Sequence, residues 1–504
     1  MSREKTIYTT IIFNFFVQIV NFAYKFLLTP FLLDAWGDLK YGEWLTLFSF
    51  ITSISLLNFG IAKFYGNNLR VAYIEQNWLS YKKIFSEALW VSIAIFLIAS
   101  GILVVIVNYM SITTILNLSH WPKEEIQLSI ILLGMSIVGM ILLELASSLY
   151  VSVGKYSYKP LFDMINLIVQ ILLIIFFLSK GAGIVEVSAI ILFSVLAITV
   201  IIIIMFVRLH KKLISVDFPN RFKDLKTNIA ISSNFQLITL SQFFILQGSV
   251  LLISNQIGAS FVALFVITRT VTSSLGRQVT QIIYNGIWPE LTTLYAERNF
   301  NKIQNIHAML IKFSLVASTL FSIFIILFID NIFNLWLSTD KYLDYTLVGL
   351  FLIYLITLQT WFPSSFLLMA NNEVKSLGRL SFLSAFTFLT FGFFYVEIYN
   401  LYGLLIVMIM IDLIILFTTI PYMAAKSSKD NTFMIYKNII KSILPMIIFF
   451  IFYFLYPIEN FLKDSSLISK IIYFLIFSNF LILYMWSFSF SEYEKKYIKN
   501  RIPL

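Results

Sequence analysis

Apolar residues run along this chain in long blocks separated by short polar breaks, from one end to the other. As a helix, roughly 20 apolar residues cross about 30 Å of hydrocarbon. Fourteen blocks meet that length, near 7–33, 41–66, 84–110, 126–153, 160–179, 184–207, 228–256, 259–288, 303–329, 343–370, 376–396, 402–424, 434–456 and 467–489. The breaks include Trp36-Gly37-Asp38, Trp121-Pro122-Lys123 and Lys180-Gly181. This pattern predicts an all-α polytopic membrane protein with about fourteen transmembrane helices and almost no mass outside the bilayer. Trp36, Trp44, Trp121 and Trp336 fall near span ends, where interfacial anchors sit.

Composition agrees. The 504 residues are 59% hydrophobic and 12% charged, with a mean hydropathy of +0.87. A soluble domain carries about 25% charged residues to wet its surface. Cysteine is absent, which excludes disulfides, thiolate chemistry, zinc ribbons and iron–sulfur clusters. His120, His210 and His307 are far apart in the chain, so neither a metal nor another cofactor is expected. Arg3 and Lys5 precede an apolar run too long for the core of a signal peptide, so that run reads as the first membrane helix, retained in the mature protein.

Charge sets an orientation. The net charge is +10. In a membrane protein this points to basic cytoplasmic loops and anionic lipid rather than to nucleic acid. With the N-terminus in the cytoplasm, 25 of the 36 Lys and Arg fall on cytoplasmic segments and 6 on external ones. Both termini are therefore expected in the cytoplasm. Polar landmarks recur between two halves: Gly37-Asp38 with Gly258-Ala259, Lys82 with Lys302, and Ser147-Ser148 with Ser364-Ser365. The expected organisation is an N-terminal lobe (1–212), a basic cytoplasmic linker (213–227), a C-terminal lobe (228–425), and two extra helices with a tail (426–504).

Five cations remain inside the spans: Lys25, Lys63, Arg269, Arg277 and Lys312. Charge near the bilayer centre costs at least about 2.5 kcal/mol, so such residues face a cavity or a partner. Lys25 continues a stripe with Asn14, Gln18 and Asn21, spaced by four, three and four on one helix face. The stripe reads as the wall of a wet cavity, against interhelical hydrogen bonding with Lys25 reaching outward. A second stripe on the eighth span holds Arg269, Ser273, Gly276, Arg277, Thr280 and Tyr284. Arg269 lies about 15 Å from the start of its helix, near the midplane, and cannot shed its charge. Lys63 aligns with polar residues of the second span, where reaching toward the interface competes with a role in the cavity; Lys312 reads as structural. The intramembrane acids are Glu144, Asp163 and Asp412. Glu144 and Asp163 read as ion-pair partners; Asp412, the deepest, either pairs with an arginine or couples transport to H+ or Na+. A cavity with excess cations selects an anion, and the planar fork of arginine suits phosphate. No Walker-type loop, H-E-x-x-H or G-x-S-x-G is present, so a transporter is expected rather than an enzyme.

Three stretches carry a family resemblance. They are Gly37-Asp38-Leu39-Lys40-Tyr41-Gly42-Glu43-Trp44 through Leu56–Ile61; Val153-Gly154-Lys155-Tyr156; and Gly258-Ala259 through Thr268-Arg269-Thr270, followed by Trp288-Pro289-Glu290-Leu291. With these the chain resembles the Wzx-type O-antigen and polysaccharide flippases of the MOP (multidrug/oligosaccharidyl-lipid/polysaccharide) exporter superfamily. The resemblance implies two six-helix lobes in a V-shaped, MATE-like arrangement, plus two C-terminal helices. It implies that an undecaprenyl-diphosphate-linked oligosaccharide is carried across the cytoplasmic membrane by alternating access, for lipopolysaccharide or other surface polysaccharide. Lys25 and Arg269 match the cavity cations of that family by helix and depth. Implied partners are the lipid-linked oligosaccharide, membrane lipids, and a polysaccharide polymerase with its chain-length regulator. The nearest rival is a MATE-type multidrug exporter, for which acids should outnumber bases in the spans. A membrane-embedded polymerase or ligase should carry a long external loop, and none exceeds about fifteen residues.

Overall fold

The computed structural model describes residues 3–52, 61–109, 112–155, 157–210, 213, 225–337, 342–371, 373–455, 466–492 and 494–495. Wherever these overlap a predicted span, the span is helical but for one or two residues at some ends. In chain order the helices are α1 (Arg3–Thr52), α2 (Ile61–Ile74), α3 (Trp78–Tyr109), α4 (Ile112–Ile115), α5 (Lys123–Ser152), α6 (Tyr158–Leu178), α7 (Ile184–Leu209), α8 (Leu225–Gln256), α9 (Ala259–Arg269), α10 (Leu275–Ala296), α11 (Phe300–Leu337), α12 (Tyr345–Ala370), α13 (Val374–Ile411), α14 (Phe417–Ser428), α15 (Thr432–Leu455) and α16 (Leu467–Tyr484). Among the described residues, ten helical runs are long and apolar enough to cross a membrane. The chain is thus an all-α, multi-pass membrane protein.

Two predicted breaks are sharper than their sequence suggests. The first and second spans share α1, which is interrupted only at Gly37 (φ 74°, ψ 171°). That backbone conformation favours glycine, so one residue replaces a loop. The eleventh and twelfth spans are joined the same way at Asn400 (φ 52°, ψ −140°). Of the predicted linker 213–227, residues 214–224 lie outside the described residues; α8 already begins at Leu225.

By contacts the chain divides into two compact units, Met1–Ala263 and Leu264–Leu504. In the first, α5 packs against α7, α3 and α2, and α6 lies along α1. Its aromatic core centres on Tyr150, which stacks on Tyr158 at 5.1 Å and meets Phe162 and Phe206 edge-on at 5.0 and 5.2 Å. Glu144 pairs with Lys159 at 3.5 Å, in line with its reading as an ion-pair partner. Gly42 permits a close approach: a Cβ there would stand 1.9 Å from the Ala259 carbonyl oxygen.

The tryptophans near the span ends are held by the protein itself. Trp44, Trp121 and Trp336 are buried within the fold. Trp36 meets Trp44 and Trp121 edge-on at 5.7 and 5.2 Å, and Trp121 donates its indole N–H to the Lys40 carbonyl. Packing against one another removes apolar ring surface from water.

In the second unit α11 and α12 pack together with α10, and α15 and α16 dock on α11. At one end of α16, Lys470 reaches Asp330 and Asn331 of α11 at 3.8 and 2.9 Å. Lys312, within α11, pairs with Glu494, as befits a structural cation.

Candidate functional site

The second stripe of the sequence becomes a polar interior in the second unit. The eighth span is not one regular helix. It runs as α9, then a π-helical turn at Thr270–Ser274, then α10. A single π turn inserts an extra residue and shifts the helix face; such turns recur at functional sites. This one begins directly after Arg269, whose guanidinium lies 5.3 Å from the Phe265 ring centre. A second π turn, Asp412–Leu416, begins at Asp412 itself. Both deep charges of this unit therefore sit where the helical ladder is disturbed.

Arg277 projects from the first turn of α10. Its Nη2 donates to the Tyr354 hydroxyl at 3.0 Å, with the guanidinium carbon 5.5 Å from that ring's centre. Its Nε is buried with no hydrogen-bond acceptor. One turn along α12 from Tyr354, the Thr357 hydroxyl lies 3.3 Å from Asp412 Oδ2, and Asp412 is only 4% exposed. Arg277 and Asp412 are thus held against the same stretch of α12, one turn apart. Yet no nitrogen of Arg277 comes within 4.0 Å of an Asp412 oxygen, so the two form no contact pair.

The remaining polar groups form a chain behind the arginines. Thr280 donates to the Arg277 carbonyl at 2.9 Å and accepts from Gln359 Nε2 at 3.2 Å. Tyr284 donates to Gln359 Oε1 at 2.9 Å and lies 2.7 Å from Ser314 Oγ. Thr280 and Tyr284, expected from the sequence to line a cavity, are each 1% exposed and place their hydroxyls inside the unit. Ser273 is equally buried, with its hydroxyl 3.5 Å from the Arg269 carbonyl. Further along the same helices, His307 Nε2 lies 3.0 Å from Ser364 Oγ.

Arg269, Arg277, Ser273, Thr280, Tyr284 and Asp412 are thus brought into one unit. The side chains of Lys25, Asn14, Gln18 and Lys63 lie outside the described residues; Asn21, on α1, is half-buried. Sequence reasoning missed Tyr354, Thr357 and Gln359, all on α12. A glutamine deep in an apolar span was a usable signal for Gln359. Tyr354 and Thr357 were lost among the aromatic and hydroxyl residues that such helices carry in number. In the first unit the buried pair Asn166 and Gln170 on α6, joined at 3.3 Å, was also missed.

In a polytopic helical membrane fold, charged groups held inside one unit mark a functional interior, since charge within the membrane is costly. No family model matches the chain, and no curated protein matches it. Solved structures do. An inward-facing multidrug resistance MATE family transporter of the MOP superfamily aligns with 82% of this chain and 96% of its own, at TM-score 0.67 and 14% identity. An outward-facing conformation of a multidrug resistance MATE family transporter covers 84% and 96%, at TM-score 0.60 and 15% identity. A MOP superfamily transporter from Pyrococcus furiosus covers 85% and 97%, at TM-score 0.59 and 12% identity. The chain has the fold of the MATE transporters of the MOP superfamily.

Proposed function

We propose that this protein is a flippase that moves an undecaprenyl-diphosphate-linked oligosaccharide across the bacterial cytoplasmic membrane by alternating access, in the synthesis of O-antigen or another surface polysaccharide. The observation that carries this reading is Arg277: a half-buried cation whose buried Nε–H has no acceptor, with no carboxylate in contact and a second arginine one π turn and part of a helix away. An interior with that donor geometry favours an anion, and phosphate oxygens match the planar fork of arginine. Behind Arg277 the interior is polar, with Thr280, Gln359 and Tyr284 satisfying one another. The Pyrococcus furiosus structure is described as having a reversed pocket polarity that suggests a different function, so polarity within this fold is a variable that can separate substrates. In this reading Lys25 and Lys63 are further cations for the substrate, both termini are cytoplasmic, and Asp412 is the candidate for H+ or Na+ coupling. A polymerase and a chain-length regulator are the partners this role implies.

A specific feature favours a second reading. Asp412 is a buried acid, and a MATE-type exporter of cationic drugs would use one. Vesicles reconstituted with the purified protein separate the two. A short-chain polyprenyl-diphosphate oligosaccharide should cross in a protein-dependent manner, and Arg269→Ala and Arg277→Ala should each slow it at least about tenfold, as loss of a charge-assisted contact does. Absence of that transfer, together with gradient-driven efflux of a cationic dye, would overturn the flippase assignment in favour of the exporter.

A further inference from the structure

Arg277 and Asp412 pose a physical question. Opposite charges in a dry interior attract strongly, and an arginine with a buried free N–H should close on a carboxylate held against the same stretch of helix. It does not: no contact pair forms, and Arg277 Nε keeps no acceptor. The groups that hold the two charges both come from α12. Tyr354 takes Nη2 of Arg277 at 3.0 Å, and Thr357, one turn on, stands 3.3 Å from Asp412 Oδ2. Tyr354 also offers its ring to the guanidinium, so the arginine is held by a hydrogen bond at one edge and an aromatic contact nearby. Both partners are rigidly seated: α12 packs on α10, α11 and both π turns, and Tyr354 is itself buried.

We infer that Tyr354 is a positioning residue that holds Arg277 apart from Asp412 and so keeps its remaining donors available to a phosphate oxygen. This inference rests on the anion-binding reading of the site given above. It makes the phenol, rather than the arginine alone, decide whether the site binds an anion. Without the hydroxyl, Arg277 loses its tether and closes on Asp412. The carboxylate then occupies the fork that phosphate should fill. Removing the carboxylate as well should reopen the site.

The test uses full-length protein in lipid nanodiscs, with inorganic pyrophosphate as the probe and binding read by titration calorimetry. Wild type should bind, and Arg277→Ala should lose that binding. Tyr354→Phe keeps the ring but removes the hydroxyl; it should bind about tenfold more weakly or worse, the effect of losing a hydrogen bond to a charged group. The double variant Tyr354→Phe/Asp412→Asn should regain most of the lost affinity, a recovery that a merely structural role for the phenol would not produce. Wild-type affinity in Tyr354→Phe overturns the inference, and so does a double variant no better than the single. If wild type and Arg277→Ala are indistinguishable, the anion-binding reading itself falls and this inference with it.

Discussion

Lys312 Nζ lies 2.6 Å from Glu494 Oε2, and both side chains are 3% exposed. The partners stand on α11 and on the segment beyond α16, far apart in the chain. The carboxylate also accepts the Ser491 backbone N–H at 2.6 Å and its hydroxyl at 2.9 Å. Removing either member strands a desolvated charge, at a cost of about 3–5 kcal/mol. Glu494→Ala and Lys312→Ala should therefore each lower the melting temperature in detergent sharply. The double variant Lys312→Met/Glu494→Leu should cost much less than the two single losses combined, since it buries no charge. A strictly additive result would show that the pair is not coupled.

Gly42 makes a contrasting stability prediction. A methyl group at Gly42 would meet the Ala259 backbone oxygen at 1.9 Å, whereas Gly101 of α3 has nothing within 4 Å of an added Cβ. Backbone cannot turn aside as a side chain can. Gly42→Ala should therefore destabilise the protein by about 1–3 kcal/mol through overpacking. Gly101→Ala should be neutral or stabilising by up to about 1 kcal/mol, because alanine is the better helix former. Parallel thermal unfolding of the two variants checks this; equal effects would contradict the close approach at Gly42.

His210, just past α7, should titrate below its ordinary value of 6.5, because burial comes first and the Lys155 charge second in disfavouring the imidazolium. Its ring packs against Phe206 at 4.8 Å. A base whose folded-state proton affinity is depressed binds more protons when unfolded. Its contribution to stability is thus present above pH 6.5 and is lost as pH falls below it. Carbon NMR of labelled histidine should show His210 neutral at pH 7, and a His210→Gln variant should lose less stability than wild type between pH 7 and pH 5. A steeper loss in the variant would reverse the sign of the argument.

Arg269 and Lys25 carry the functional prediction in cells. Arg269→Ala and Lys25→Ala should leave the protein in the membrane but reduce surface polysaccharide, measured by gel profile in a strain lacking its own copy. Arg269→Lys should restore export only in part, since lysine keeps the charge and loses the planar fork. Full recovery would show that charge alone suffices, and normal export by both alanine variants and their double would remove the cationic pathway.

Hydropathy alone located the helices, because a bilayer forces each crossing segment to be long, apolar and internally hydrogen-bonded. It located Arg269, Arg277 and Asp412 for the same reason: an ionised group in an apolar run is conspicuous. The spacing of Ser273, Thr280 and Tyr284 marked one helix face in advance, though not which groups of α11 and α12 that face would meet. Gly37 shows the limit at the backbone level. Its polar neighbours predict a loop, and only the torsion angles reveal a one-residue break.

Other features were settled by tertiary packing. The π turns after Arg269 and at Asp412 have no signature in residue type. Tyr354 and Thr357 look like ordinary residues of an apolar helix until α12 is laid against the arginine and the aspartate. What the chain determines by itself is where charge is forced to lie, because solvation in lipid depends on residue type and local run length. Which charges meet, which are held apart, and which donor is left open depend on the rotation and register of packed helices. Those follow from side-chain fit over the whole unit, and they set the distances between Arg277, Tyr354 and Asp412 on which the proposed anion site depends.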